Sequence, residues 1–207
     1  YADMDKDAGI LRYLTAFLGE HGHRVAPAGK VPLKMLAVRS GLAQYGRNFI
    51  CYNTRFGSYM LLSCFLTDLP TQNPVWEPLA FMDSCQACHA CENACPTGAL
   101  RRERGMIDAN RCVTYHNEKR GPFPDWLPRS AHSCVVGCMA CQGICPHNVK
   151  NRNNMIESVT FTEAETEEIL TRKAGEAYTD DVRRKLEAAG LWQYEDLLPR
   201  NLGVLVG

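Results

Sequence analysis

Eleven of the 207 residues are cysteines, and most of them fall in two short runs. The first run is CQACHACENACP, from Cys85 to Pro96, with the spacing C-x2-C-x2-C-x3-C-P. The second is CMACQGICP, from Cys138 to Pro146. The first spacing is typical of thiolate ligands to a [4Fe-4S] cluster, and in two-cluster proteins the last cysteine of each run binds the other run's cluster. The sequence therefore predicts two [4Fe-4S] clusters in one module.

Each cluster needs four thiolates, which we assign from the order of the cysteines in the runs. The first cluster takes three cysteines from the first run and the last from the second: Cys85, Cys88, Cys91 and Cys145. The second takes two from the second run and the last from the first: Cys138, Cys141 and Cys95. This second set lacks one thiolate, which spacing alone allows either Cys112 or Cys134 to supply.

Structural zinc is the alternative for sites built from thiolates, because zinc and iron-sulfur clusters both prefer soft sulfur ligands. Zinc sites usually pair two C-x2-C segments. A run of C-x2-C-x2-C-x3-C-P followed by a related second run is hard to explain in that way. The spacing therefore favours clusters over zinc.

The overall composition is that of an ordinary globular protein, with 45% apolar residues and 23 basic side chains balancing 23 acidic ones. A chain without net charge has no field to attract nucleic acid or an anionic membrane, so we expect neither as a partner. The charge is uneven, since residues 111–160 hold six bases and three acids and thus predict a modest positive face near the clusters. No stretch approaches the 18 consecutive apolar residues that a membrane-spanning helix needs. The cysteine usage, with cluster-type spacing in place of a disulfide framework, indicates a reducing cytoplasm.

The elements that position the runs can be predicted from periodicity and from helix-ending glycines. Helices are expected at 7–20, 32–40, 97–100, 162–173, 180–189 and 191–198. Strands are expected at 21–27, 48–52 and 58–67, the last two as neighbours. An irregular connection is expected at 68–84, and an ordered loop held by Phe123 and Trp126 at 121–128.

These elements indicate an α+β fold in three parts. Residues 1–80 form a partial α/β lobe, 81–150 form a bacterial ferredoxin-like double [4Fe-4S] module, and 151–207 form a helical tail. The lobe has too few elements to close a doubly wound sheet. Because the chain begins with Tyr1 rather than methionine, we expect further residues upstream.

From Tyr1 to Asn148 the chain resembles the epoxyqueuosine reductases, cobalamin and iron-sulfur enzymes of queuosine tRNA modification, and more broadly the cobalamin reductases that include reductive dehalogenases. The matching segments are SGLAQYGRN (40–48), FGS (56–58), CQACHACENACPTGAL (85–100), IDANRCVTYHNE (107–118) and GCMACQGICPHN (137–148). The resemblance implies that the first lobe is a partial cobalamin-reductase-like lobe. It also implies cobalamin as a further cofactor and a small electron donor of the flavodoxin or ferredoxin type.

The resemblance also assigns individual residues. The family places a cluster ligand in a D-x-x-R-C segment, which Asp108, Arg111 and Cys112 match, and this implies Cys112 as the missing ligand. The positions it brings to the corrin are Arg47, Cys51, Leu62, Thr114, Cys138 and Met139. Each has a structural alternative, since Cys51 and Leu62 can be core residues and Arg47 can pair with a surface carboxylate.

Two departures separate the chain from this family. The reductases carry a catalytic aspartate in an Asp-Ser-Ala-Pro segment, where this chain reads PAGKVP and places Pro27, which cannot donate a proton. The family's cobalamin domain also begins well upstream of the point that matches Tyr1. A replacement acid could come from Tyr45 beside Arg47, or from Tyr115 beside His116, although a packing role for both tyrosines is the favoured interpretation.

Three functions remain after these observations. The first is a redox enzyme in which two clusters pass low-potential electrons to a corrinoid that reduces an unknown substrate. The second is a ferredoxin-like electron carrier or reductive activator of a partner protein, which the absent aspartate favours. The third is tRNA modification itself, which the neutral charge balance does not support because phosphate contacts dominate nucleic-acid affinity.

Overall fold

The computed structural model describes residues 4–71, 75–101, 106–152 and 159–207. The chain folds into two compact units, residues 2–87 and residues 88–207. Each unit has its own core, and each is described by itself. The mixture of helices and short strands agrees with the predicted α+β class, whereas the three-part division at residues 80 and 150 stays a prediction.

The first unit contains two helices and four short strands within its described ranges. These are α1 (Met4–Glu20), β1 (Val25–Pro27), α2 (Leu33–Arg39), β2 (Gln44–Tyr45), β3 (Cys51–Tyr52) and β4 (Phe65–Thr67), followed by a 3-10 turn at Asp83–Cys85. The strands form two antiparallel pairs. In one pair Val25 lies opposite Thr67, and in the other Gln44 lies opposite Tyr52.

The core of the first unit forms where α2 packs against the β2–β3 pair. The buried residues are Ala37, Val38, Ala43 and Cys51, with Tyr45, Met60, Leu62 and Ala80 packed around them. Pro32 precedes the helix and Gly41 follows it in a left-handed conformation (φ 74°), as the sequence predicts. This packing holds the segment from Tyr45 to Asn48 on the face of the core.

The prediction of two neighbouring strands at 48–52 and 58–67 is wrong. In these two segments, which the structure describes throughout, Cys51–Tyr52 and Phe65–Thr67 are the parts extended into strands, and they pair with β2 and β1 respectively rather than with each other. The physical reason is local. Phe49 takes a positive φ of 58° within a tight turn in which the Gly46 N–H donates to Ile50 O, so β3 folds back onto β2.

The second unit contains six helices among its described residues. They are α3 (Ala90–Asn93), α4 (Val113–Glu118), α5 (Ala140–Gly143), α6 (Glu163–Thr171), α7 (Asp180–Ala188) and α8 (Leu198–Val206). The same residues also form 3-10 turns at Ala109–Arg111, Arg129–Ala131, Pro146–Asn151 and Trp192–Tyr194. The predicted helix at 97–100 does not form, because Gly98 takes a left-handed φ of 61° and turns the chain toward Asp108.

The tail helices pack around a core of their own. Its buried members are Val136, Ile169, Tyr178, Val182, Leu186 and Leu198. Thr162 and Glu165 form the predicted capping box at the start of α6. The predicted helix at 191–198 is instead a 3-10 turn, and the following helix α8 runs from Leu198 to Val206, with Pro199 in its first turn.

The loop at 121–128 is ordered by its two aromatic residues, as predicted. The Phe123 ring meets His132 edge to face at 4.5 Å, and Trp126 meets His116 at 5.2 Å. The Arg111 guanidinium also lies 4.9 Å from the Trp126 ring centroid. Across the described ranges, no helix is both long and apolar enough to cross a membrane.

Candidate iron-sulfur site

The two cysteine runs adopt the same local structure in the second unit. Helix α3 contains Cys91 and helix α5 contains Cys141, and these two short helices pack against each other. In the first run the Gly98 N–H donates to Cys95 O at 3.2 Å, and in the second the Asn148 N–H donates to Cys145 O at 3.0 Å. The runs are therefore equivalent halves placed side by side, as ligand exchange between two clusters requires.

Thr97 and Arg111 connect the first run to the segment that carries Cys112. The Thr97 hydroxyl donates to Arg111 O at 2.5 Å, and the Arg111 Nε–H donates to Thr97 O at 2.9 Å. The Asp108 N–H also donates to Ala99 O at 2.8 Å. These bonds hold the chain after Cys95 against the chain before Cys112.

Cys138 lies among the thiols of the proposed second cluster. It packs against the small core of Val113, Leu127 and Ala131. Burial raises the pKa of the Cys138 thiol, and negative charge at neighbouring thiols raises it further. These neighbours are Cys112, Cys134 and Cys95. The last cysteine of the first run therefore acts electrostatically on the first cysteine of the second run.

Cys95 lies in surroundings that favour a thiolate. Burial by itself raises the pKa of its thiol, but backbone N–H groups of Leu100 and Thr97 more than compensate, and the net pKa lies below the ordinary value for cysteine. The Thr97 hydroxyl is 3.8 Å from Cys95 Sγ. Its single hydrogen is committed to the shorter bond with Arg111 O, so we attribute the lowered pKa mainly to the backbone donors.

The choice between Cys112 and Cys134 is not made by proximity, because both thiols lie near enough to Cys138 to influence its pKa. The Cys134 Sγ is 3.7 Å from the hydroxyl of Ser133. Its carbonyl accepts a hydrogen bond from Asn117 Nδ2 at 3.2 Å. Cys112 follows the 3-10 turn Ala109–Arg111 directly and precedes α4.

The donor set suits clusters better than single ions. All eleven cysteines lie in described segments, and none of them forms a disulfide. Within the described ranges no three His, Cys, Asp or Glu side chains are grouped closely enough to hold one metal ion. A zinc site gathers its sulfurs around one ion at about 2.3 Å, whereas a four-iron cluster holds its four thiolates on separate iron atoms. The thiols therefore fit a cluster by ligand type.

Cys85 lies at the end of the first unit, in the 3-10 turn Asp83–Cys85. Arg47 holds this turn, since its Nε–H and Nη2–H donate to Cys85 O at 3.0 and 2.6 Å. A further bond runs from Arg47 Nη2 to Gln86 O at 3.0 Å. The residue that the resemblance brings to the corrin thus binds the backbone of a predicted cluster ligand.

Cys51 and Leu62 contribute to the core of the first unit. The Cys51 side chain is buried and its thiol donates to Lys34 O at 3.4 Å, while Leu62 packs against the same core. Burial raises the pKa of the Cys51 thiol, and the positive charge of Lys34 offsets this only in part. Cys51 and Leu62 are thus core residues, and their contact with a corrin stays a prediction.

The remaining predicted site residues lie in different surroundings. The Tyr45 ring lies tilted against Phe49 and Phe81, with ring centroids 6.5 and 5.7 Å away, and burial raises the pKa of its phenol, with Cys51 adding to the shift. Thr114 is partly buried in α4. Met139 is 43% exposed, and its Sδ accepts a bond from Gln142 Nε2 at 3.6 Å.

Tyr115 and His116 are neighbours in α4, and both rings are held by aromatic contacts. The Tyr115 ring meets His116 edge to face at 5.2 Å, and Lys119 Nζ lies 5.2 Å from the Tyr115 ring centroid. The His116 Nε2–H donates to Asn110 O at 2.8 Å. The phenol and the imidazole are therefore adjacent, as the sequence predicts, although the imidazole already serves a structural hydrogen bond.

Three buried or partly buried polar residues near the second run were not predicted from the sequence: His132, Arg200 and Asn201. They join Asn117, which belongs to the dense polar cluster that the sequence shows at 116–118, close to a predicted cluster ligand. Asn117 and Asn201 are 0% and 1% exposed. The signal for Arg200 and Asn201 was absent, because nothing local to the tail indicates a contact 84 residues away.

Comparison with known proteins agrees with this geometry. Residues 84–148 match the family model described as a 4Fe-4S double cluster binding domain. The chain is 32% identical over 146 residues to the epoxyqueuosine reductase of Cyclobacterium marinum, covering 70% of this chain and 46% of that protein. It is 37% identical over 114 residues to the Escherichia coli epoxyqueuosine reductase, covering 55% and 29%.

Solved structures match the fold of the chain. The epoxyqueuosine reductase of Bacillus subtilis matches with a TM-score of 0.77 at 24% identity, over 97% of this chain and 53% of that one. An epoxyqueuosine reductase solved with an epoxyqueuosine-modified tRNA-Tyr stem loop matches with a TM-score of 0.73 at 25% identity, over the same shares. The matched region thus spans between 29% and 53% of the length of these proteins. Over the matched length the chain is a relative of the epoxyqueuosine reductases, and its residues 84–148 form a 4Fe-4S double cluster binding domain.

Proposed function

We propose that this chain is the electron-delivering part of an epoxyqueuosine reductase, the activity that its relatives' names state. The observation that carries the proposal is the side-by-side packing of α3 and α5, the helices formed within the two cysteine runs. This arrangement supports two clusters with exchanged ligands. When bound, such clusters supply single electrons at low potential.

The residues of the chain hold and tune these groups. We assign the first cluster to Cys85, Cys88, Cys91 and Cys145, and the second to Cys95, Cys112, Cys138 and Cys141. Backbone N–H groups directed at the Cys95 sulfur stabilise its thiolate form, and such bonds raise the reduction potential of a cluster. Arg47 fixes the backbone of Cys85 from within the first unit.

A tRNA substrate is the finer part of the proposal. The neutral total charge argued against nucleic acid, but a structural relative was solved with a tRNA stem loop, and this supports such a substrate. Within this chain, exposed basic side chains lie on residues 119–152, among them Lys119, Arg120, Arg129 and Lys150. We propose that these residues contact the phosphates of the tRNA. We also propose that the protein works in a reducing cytoplasm and that a flavodoxin or ferredoxin is its electron donor.

Cobalamin as the acceptor of the electrons rests on the resemblance alone. Among the positions assigned to it, Cys51 and Leu62 pack in the core and Arg47 binds carbonyls of residues 85 and 86. Of the assigned positions Cys51 is buried, whereas Arg47, Leu62, Thr114 and Cys138 are partly buried and Met139 is 43% exposed. We therefore keep the corrinoid as a proposal and assign no step to it.

The second candidate is an electron carrier that reduces a partner protein. Pro27 favours it, because this residue occupies the position of the family's catalytic aspartate and lies in β1 opposite Phe65. A proline offers no proton. In this case the chain would bind the same two clusters but would not act on the modified nucleoside.

One experiment separates the candidates. The protein that carries this chain is purified anaerobically, analysed for iron, sulfide and cobalt, and given reduced flavodoxin with an epoxyqueuosine-modified tRNA stem loop. The reductase predicts about eight irons per chain, bound cobalt and loss of the epoxide. The electron-carrier candidate predicts the same iron content, no bound cobalt and no loss of the epoxide. A protein that binds zinc instead of iron would contradict both candidates.

A further inference from the structure

The loop that precedes Cys138 has no regular secondary structure of its own. It consists of residues 133–137, SCVVG, between the 3-10 turn Arg129–Ala131 and the second cysteine run. Gly137 takes a left-handed φ of 75° and turns the chain directly into Cys138. A loop of this kind needs hydrogen-bond partners from elsewhere to satisfy its buried carbonyls.

Asn117 supplies the first of these partners. Its Nδ2 group donates to Cys134 O at 3.2 Å and to Gly137 O at 2.9 Å, so one side chain spans the loop. Its Oδ1 accepts a bond from His132 Nδ1–H at 3.0 Å. Every hydrogen-bonding atom of the Asn117 amide is therefore used, within a side chain that is 0% exposed.

Asn201, in the last helix α8, is the second hydrogen-bond partner of this loop. Its Nδ2 group donates to Val135 O at 2.7 Å and to Asn117 O at 2.8 Å. Its Oδ1 accepts bonds from the Arg200 Nε–H and Nη2–H at 2.9 and 2.8 Å. The Asn201 amide thus joins the loop to α4 from the far end of the chain.

Arg200 completes the connection. It donates to the carbonyls of His116 and Lys119, each at 3.0 Å, and also to Gly121 O. Its guanidinium lies 4.0 Å from the Phe123 ring centroid. From the opposite side, Val136 of the loop is buried in the core of the tail helices. The tail therefore holds the loop through both its backbone and its apolar side chain.

We propose that Asn201, supported by Arg200, is a positioning residue for the second cluster, so that the C-terminal helix α8 is part of that cluster's binding site. Asn201 and Asn117 fix the carbonyls of the 133–137 loop and thereby the position of Cys138. This inference rests on the proposed function, because it requires a second cluster on Cys138. It gives the helical tail a role in ligand placement, for which the sequence offered no indication.

The test compares the whole chain with the variant Asn201→Leu, which keeps the side-chain size but removes both N–H donors. Gln193→Leu makes the same chemical change at an exposed position of the tail and serves as the control. Iron and sulfide are counted after anaerobic reconstitution, and reduced samples are examined by EPR. We expect Asn201→Leu to bind about half the wild-type iron and to show the spectrum of Cys138→Ser, whereas Gln193→Leu matches the wild type.

A milder variant keeps the inference testable if Asn201→Leu fails to fold. Asn201→Ser retains one hydroxyl donor, and we expect a shift in the midpoint potential of the second cluster while that of the first is unchanged. Equal potentials in Asn201→Ser and wild type, or full iron and both EPR signals in Asn201→Leu, would overturn the inference. A wild type that lacks two clusters would instead contradict the proposed function, which is a separate result.

Discussion

Thr97 and Arg111 are joined by two reciprocal hydrogen bonds. The Thr97 hydroxyl donates to the Arg111 carbonyl, and the Arg111 guanidinium donates to the Thr97 carbonyl. Thr97 is two residues after Cys95, and Arg111 immediately precedes Cys112. The pair therefore fixes the separation of two cysteines that we assign to the same cluster. A change at either residue of the pair is expected to reach that cluster through its ligands.

Removal of the Thr97 hydroxyl should loosen this connection. In Thr97→Val the Arg111 carbonyl loses its donor, so we expect the free energy of unfolding to fall by about 0.5–1.5 kcal/mol, with weaker retention of the second cluster. Anaerobic chemical denaturation measures the first effect and iron release to a chelator the second. Thr171→Val, which removes an exposed hydroxyl bonded to Glu167 O, is the control. Iron release equal to that of the control would contradict this role for Thr97.

The identity of the fourth ligand can be decided by two serine variants. Both Cys112 and Cys134 lie near Cys138, but the D-x-x-R-C segment implies Cys112. We expect Cys112→Ser to lose one cluster, leaving about half the iron, and Cys134→Ser to keep both. Iron analysis with EPR of the reduced protein gives the answer. The reverse pattern would assign the ligand to Cys134.

Gly46 should tolerate no side chain. A Cβ at this position would lie 2.5 Å from Tyr52 Cε2 and 2.8 Å from Asn48 Oδ1, so Gly46→Ala must displace a buried ring. We expect a loss of about 1–3 kcal/mol in the stability of the first unit, measured by thermal or chemical unfolding. Gly19→Ala in α1, where a Cβ meets no atom within 4 Å, is the matched control and should be at least as stable as wild type.

Glu165 should stabilise the tail in a pH-dependent way. Hydrogen bonds from Lys185 Nζ at 2.6 Å and from the Thr162 N–H at 2.7 Å lower the pKa of its carboxyl below the ordinary value of about 4.5. A lowered pKa in the folded state contributes stability above the unfolded value, and this contribution is lost as the pH falls through the folded value.

Accordingly, Glu165→Gln should lower the stability of the protein by the same amount throughout pH 6 to 8. The deficit should shrink below about pH 4.5, where the unfolded wild-type carboxyl takes up its proton first. Denaturation curves of both proteins at several pH values measure this difference in the free energy of unfolding. Glu163→Gln, next to Glu165 in the first turn of α6, is the control. A deficit that grows on acidification would show that the assigned ion pair is not its source.

Local patterns in the sequence predicted four of the described helices, α1, α2, α6 and α7, to within a few residues. Apolar periodicity located α1, and the capping box of Thr162 and Glu165 located the start of α6. Gly41 and Gly190 follow the ends of α2 and α7 in left-handed conformations, as expected from their positions. These features depend on residues within a few positions of one another, so no knowledge of the distant chain is needed.

Strand pairing and the surroundings of the cysteines were harder to predict, because both depend on residues far apart in the chain. Phe65–Thr67 pairs with Val25–Pro27 across about forty residues, while propensity favoured pairing with the nearer strand. The cysteine spacing predicted that the two runs lie together. It could not predict that Asn201, which lies more than sixty residues after Cys138, supports the loop before it.

The central claim is that Cys95 binds the cluster of the second run rather than that of its own run. The most direct measurement is EPR and iron content of Cys95→Ser beside Cys138→Ser and Cys88→Ser, all reconstituted anaerobically. We predict that Cys95→Ser loses the same cluster as Cys138→Ser and retains the one that Cys88→Ser loses. A spectrum of Cys95→Ser that instead matches Cys88→Ser would contradict the exchanged-ligand arrangement and the function built on it.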